Sequence, residues 1–149
     1  MKKITILAVA TAALLTPAFA AETTAQKNGW SNYTMQLSRV TESVNKVCET
    51  KITAAYDKSS YKNFDPASDR TQSLCQNGVN ALASICKAPS GKASAQKITS
   101  VSCRFSKEGT SVALEGEKLI INANPLAPAI VGKKPGHNYN WAAAVREQL

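Results

Sequence analysis

Ser100-Val101-Ser102-Cys103-Arg104-Phe105 is where the chain changes its period. Val101, Cys103 and Phe105 alternate with Ser100, Ser102 and Arg104, the two-residue repeat of a strand with one covered face. Lys107-Glu108-Gly109-Thr110 reads as a turn, and Val112 and Leu114 as a second short strand. Glu115-Gly116-Glu117 turns again, and Leu119, Ile121 and Ala123 make a third strand. Tight connections between three such strands predict an antiparallel β-meander with one buried face.

Upstream the period is helical. Trp30, Tyr33, Leu37, Val40, Val44 and Val47 follow steps of three and four, and the stripe drifts on through Cys48, Ile52 and Ala55. This predicts one amphipathic helix of up to about seven turns. Aromatic residues at helical spacing are read as core, and Trp30 and Tyr33 are taken so. Asp57 to Asn63 is a polar connection. Asp65-Pro66 suits a helix start, because the carboxylate accepts a backbone N–H and proline needs no donor in the first turn. A second helix then carries Leu74, Cys75, Gly78, Val79, Leu82, Ile85 and Cys86 and stops before Pro89. Two amphipathic helices joined by a short polar loop predict an antiparallel hairpin, the one sizeable apolar surface able to cover the sheet. At the far end Asn140 caps a short C-terminal helix with Trp141, Ala144, Val145 and Leu149 on one face. The expected fold is α+β: a helical hairpin on a three-stranded antiparallel meander, a short C-terminal helix, and two disulfides.

The four cysteines allow three pairings. Cys75 and Cys86 lie eleven residues apart on one predicted helix, about 16 Å by helical rise, beyond the roughly 7 Å that a disulfide spans. In an antiparallel hairpin Cys48, late in the first helix, meets Cys75, early in the second. That leaves Cys86 for Cys103, so the expected pairs are Cys48–Cys75 and Cys86–Cys103. No C-x-x-C is present, and the cysteine spacings lack the close pairs of a zinc site.

The N-terminus predicts a compartment in which disulfides persist. Lys2-Lys3, the apolar run Ile4 to Leu15, Pro17 and Ala18-Phe19-Ala20 have the order of a secretory signal peptide. The expected organisation is a signal peptide over 1–20, a flexible leader over 21–29 and one α+β domain over 30–149. Periplasmic localisation is the first expectation and secretion the second, with no transmembrane segment in the mature chain. No cysteine follows the cleavage site to carry a lipid anchor. Without the first 20 residues, 129 of the 149 remain, and loss of Lys2 and Lys3 lowers the formal charge from +8 to +6. A basic chain favours anionic partners such as lipopolysaccharide, acidic cell-wall polymer, a membrane surface or an acidic protein. Nucleic acid is disfavoured, since no nucleic-acid-binding motif occurs.

Catalytic signatures are scarce. His137 is the one histidine, no serine sits in G-x-S-x-G, and no glycine-rich phosphate loop follows a strand. No cofactor or metal is expected. The function expected is a small exported binding or interaction module for an anionic or amphipathic envelope partner. The alternatives are a small periplasmic hydrolase or other enzyme, and a mainly structural envelope protein. The binding residues expected are Leu126, Ile130, Lys133, Lys134 and His137, in the long proline-containing segment from Asn124 to Tyr139 where an apolar run meets a basic pair. A competing basic group, Lys46, Lys51, Lys58 and Lys62, interleaves with Tyr56, Tyr61 and Phe64.

Overall fold

The computed structural model describes residues 22–62, 64–67, 72–123 and 139–149. The signal peptide expected over residues 1–20 and the segment 124–138 lie outside the described residues. Helix α1 spans Thr24–Cys48, and its Trp30, Tyr33, Leu37, Val44 and Cys48 are buried. It begins before Trp30, inside the polar stretch read as a leader. Thr23 and Gln26 form a capping box there, each side chain bonded to the other's backbone N–H.

The helix also ends earlier than its stripe predicts. Glu49 takes the left-handed conformation, φ 55°, and the N–H groups of Glu49 and Thr50 both bond back to the Asn45 carbonyl. The Asn45 side chain completes the stop. Its Oδ1 accepts from Ile52 N and Thr50 Oγ1, and its Nδ2 donates to Ile52 O, each at 2.8 Å. Strand β1, Thr53–Tyr56, follows. Ile52, Ala54 and Tyr56 turn inward while Lys51, Thr53 and Ala55 are exposed, a period of two that overrides the drifting helical stripe.

Strand β1 therefore runs back along α1, from Asn45 at its start to Trp30 and Tyr33 at its end. A 3-10 turn over Lys58–Tyr61 follows. Asp65 does not cap the second helix; its carboxylate accepts from Ala67 N in a local turn, and α2 spans Gln72–Ile85. Because β1 has already reversed the chain, α2 starts beside the N-terminal half of α1 and runs parallel to it. Gln76 Nε2 donates to Gln36 Oε1 at the early level, and Cys48 Sγ lies 3.6 Å from Leu82 O at the late one. The antiparallel hairpin is thus replaced by a parallel helix pair with a strand between its members.

The disulfides follow from that direction. Cys48 pairs with Cys86 and Cys75 with Cys103, with Cα separations of 5.3 Å and 5.8 Å. The expected pairs Cys48–Cys75 and Cys86–Cys103 are corrected, since parallel packing sets the two late cysteines side by side. A further short helix, α3 over Pro89–Ala95, starts with proline in its first turn.

Strands β2 (Ser100–Phe105), β3 (Ser111–Glu115) and β4 (Lys118–Ala123) complete a mixed four-stranded sheet in the order β1-β2-β4-β3. Strand β2 pairs in parallel with both β1 and β4, and only β3–β4 is antiparallel. The expected three-stranded meander is corrected in this respect. Leu119, Ile120 and Ile121 are each no more than 1% exposed, and so continuous an apolar run suits a central strand covered on both faces. Ser111 and Glu115 are exposed, which suits the edge. The β3–β4 hairpin turns through Gly116 at φ 63°, the positive value required of the first residue in a two-residue loop.

The main core lies between the sheet and the parallel helices, around Leu37, Val44, Val79, Leu82, Leu119 and Ile121. Helix α4, Trp141–Arg146, docks there through buried Trp141 and Val145, and Asn140 Oδ1 caps it by accepting from Ala143 N.

Candidate functional site

A second, smaller core stands at the end of the molecule where α1 begins. Trp30, Tyr33, Tyr61 and Phe64 are buried together, with Tyr56 and Phe105 packed against them. Four elements contribute. Helix α1 supplies Trp30 and Tyr33, three residues apart on its inner face. The reversal at Asn45 brings Tyr56 alongside them, the 3-10 turn supplies Tyr61, and the end of β2 supplies Phe105. Trp30 is the hub, with ring centroids 5.5 Å from Tyr61 and 5.8 Å from both Tyr56 and Phe64. Most of these pairs are edge-to-face or tilted, as the ring quadrupoles favour.

Backbone bonds fix the turn that carries Tyr61. Asp57 N donates to Cys103 O, Ser60 Oγ donates to Asp57 O, and Phe105 N donates to Ser60 Oγ. The Asp57 carboxylate lies 3.5 Å from Arg104 Nε, and Arg104 Nη1 lies 3.6 Å from Glu115 Oε1. Burial pushes the Tyr56 hydroxyl well above the ordinary tyrosine range, with smaller contributions from Tyr61 and Tyr33. Burial raises Tyr61 similarly, and the Asp57 carboxylate adds to it. Both phenols are therefore neutral at physiological pH, and the Tyr56 hydroxyl has no hydrogen-bond partner among the described residues.

Cations border this cluster on two sides. The Lys58 ammonium lies 5.3 Å from the centre of the Trp30 ring, a cation–π contact. Lys58 and Lys27 line an open groove of about 550 Å³ with Trp30, Thr34, Met35 and Glu22. On the other side Lys62 and Lys107 flank a cleft of about 180 Å³ over Tyr61, Phe64 and Phe105.

The competing basic group is thus divided by the fold. Lys58 and Lys62 stand at the aromatic end, whereas Lys46 lies in the last turn of α1. Sixteen residues of helix separate Trp30 from Lys46, about 24 Å along the axis. Lys51 is also at the far end, beside Glu49 and Thr99. Leu126, Ile130, Lys133, Lys134 and His137 lie outside the described residues. Glu115, at the end of β3, is engaged by Arg104.

Sequence reading assigned Trp30 and Tyr33 to the core and left Lys27, Phe105 and Lys107 outside any site. For Lys27 the signal was the Thr23-x-x-Gln26 capping box, which starts the helix early enough to include it. For Phe105 it was the alternation of β2, which sets Phe105 on the face of Val101 and Cys103.

Among the described residues no group of three or more His, Cys, Asp or Glu could hold a metal ion, and no helix is long and apolar enough to cross a membrane. Comparison with protein families, with curated proteins and with solved structures finds no match to this chain.

Proposed function

We propose that this chain is an exported, disulfide-stapled binding module that meets an anionic, partly apolar envelope partner at its aromatic end. The periplasm is the first compartment in which to look for it. The observation that carries this reading is convergence. Lys27, the nearby pair Lys58 and Lys62, and Lys107 come from three separate parts of the sequence and border one aromatic cluster. Two disulfides support an oxidising compartment, and the formal charge of +6 that remains without residues 1–20, as against +8 for the full chain, supports an anionic partner. Aromatic rings supply apolar area while the surrounding lysines select the sign of charge.

Co-sedimentation with vesicles containing anionic lipid, against purely zwitterionic vesicles, tests the reading. The oxidised protein should be retained on anionic vesicles at 0.1 M salt and released at 1 M, where the Debye length falls from about 10 Å to about 3 Å. Lys58→Glu with Lys62→Glu should abolish retention while thermal stability holds. Loss instead on Lys133→Glu with Lys134→Glu would move the contact to the 124–138 segment. Equal retention on both vesicle types would remove the electrostatic reading.

A further inference from the structure

We propose that the cleft over Tyr61, Phe64 and Phe105 is a binding site for a small amphipathic anion: a carboxylate carrying one ring-sized apolar group. The apolar group lies against the three rings, and the carboxylate sits between Lys62 and Lys107. The assignment rests on the reading of the aromatic end as a contact for anionic partners, and it narrows that contact to one ligand class.

Size sets the first limit. The cleft holds about 180 Å³, and an apolar cavity of about 150 Å³ accommodates benzene. One ring or a comparably short alkyl end fits, and a longer chain must leave its remainder in solvent. The floor is ordered before any ligand arrives. Tyr61 packs at 5.3 Å from Phe64 and 6.0 Å from Phe105 between ring centroids, with Trp30 behind them. The bond from Phe105 N to Ser60 Oγ holds the two walls together. A site built in advance loses little conformational entropy on binding.

Charge sets the second limit. Lys62 and Lys107 stand at the rim, and among the described residues neither is ion-paired, whereas Arg104 engages Asp57 and Glu115. The nearby acid at Asp57 is thus already compensated. The Ser60 hydroxyl is donated to the Asp57 carbonyl. The rim therefore presents two positive charges above an apolar floor. A carboxylate ligand gains attraction from both, an amine is repelled, and a neutral arene gains the apolar contact alone.

Titration with 4-phenylbutyrate, 4-phenylbutylamine and acetate, followed by the NMR shifts of the Phe64 and Phe105 ring protons, tests the assignment. Phenylbutyrate should shift both rings and bind about tenfold more tightly than the amine at 0.1 M salt, with the margin shrinking at 1 M. Lys62→Ala with Lys107→Ala should bring the two affinities together at unchanged thermal stability. Phe105→Ala should weaken both ligands. Equal binding of amine and carboxylate to the wild-type protein, acetate as tight as phenylbutyrate, or unmoved ring signals would each overturn the assignment. Anionic vesicles retained through Lys58 and Lys62 while phenylbutyrate leaves the rings unmoved would sink the cleft alone. Phenylbutyrate binding without vesicle retention would leave the cleft standing and remove the envelope surface as its partner.

Discussion

Asn45 shows how one side chain can settle a chain direction. Its amide satisfies both the N–H and the C=O of Ile52 as well as the Thr50 hydroxyl. Those groups belong to the tight reversal from α1 into β1, where neither helix nor sheet supplies partners. Asn45→Ala would leave the Ile52 backbone groups without their side-chain partner in a half-buried position. The expected loss is about 2–3 kcal/mol, since unsatisfied buried polar groups cost more than the net worth of a hydrogen bond. Urea unfolding at pH 7 measures it. Asn45→Asp retains the two acceptor contacts, loses the donor to Ile52 O, and should fall between wild type and Asn45→Ala. An Asn45→Ala midpoint equal to wild type would show that the reversal forms without this clamp.

At the scale of elements, the short strand β1 decides which cysteines meet. By returning the chain along α1 it makes α2 parallel to α1, and the disulfides start from Cys75 in α2 and from Cys86 just past its end. One ties its late end to α1 and the other ties its early end to β2. Peptide mapping under non-reducing conditions should recover Cys48 linked to Cys86 and Cys75 linked to Cys103. A Cys48–Cys75 peptide would mean that the helices are antiparallel after all. The bonds span 38 and 28 residues, so loop-closure entropy alone predicts about 3.5–4 kcal/mol for each. Cys48→Ala with Cys86→Ala, and Cys75→Ala with Cys103→Ala, should each lower stability by a value in that range or somewhat below it.

At the scale of the molecule, the aromatic end couples stability to alkaline pH. Tyr56 and Tyr61 are held above their ordinary range mainly by burial. An unfolded tyrosine ionises near pH 10. The folded state therefore holds more protons above that pH than the unfolded state does. The contribution of these two groups is fully present below about pH 10 and is lost as pH rises toward their folded values. Denaturation profiles should show an alkaline decline that begins near pH 10 and is shallower in Tyr56→Phe. At pH 7 the same variant should be at least as stable as wild type, because the hydroxyl it removes has no partner among the described residues. An unchanged alkaline limb in both Tyr56→Phe and Tyr61→Phe would separate the decline from these phenols.

Elements whose signals are local were readable from the residues alone. The stripe Trp30, Tyr33, Leu37 and Val44 was legible as a buried helix face, Asn140 as a cap, Gly116 as a turn, and the alternation of β2 as a strand. The tertiary structure decided how those elements pair. Periodicity carries no direction, so the parallel course of α1 and α2 became visible only with β1 between them, and the disulfide pairing followed from it. Strand alternation likewise says which face is buried but not which strand is the neighbour. The burial of Leu119, Ile120 and Ile121 set β4 in the middle and broke the expected meander. The candidate site was least legible for the same reason. Lys58 and Lys62 were visible as a basic group, yet Lys27 and Lys107 join them only because four separate segments end at one pole of the fold. Lys46 leaves the group because a rigid helix holds it about 24 Å from Trp30.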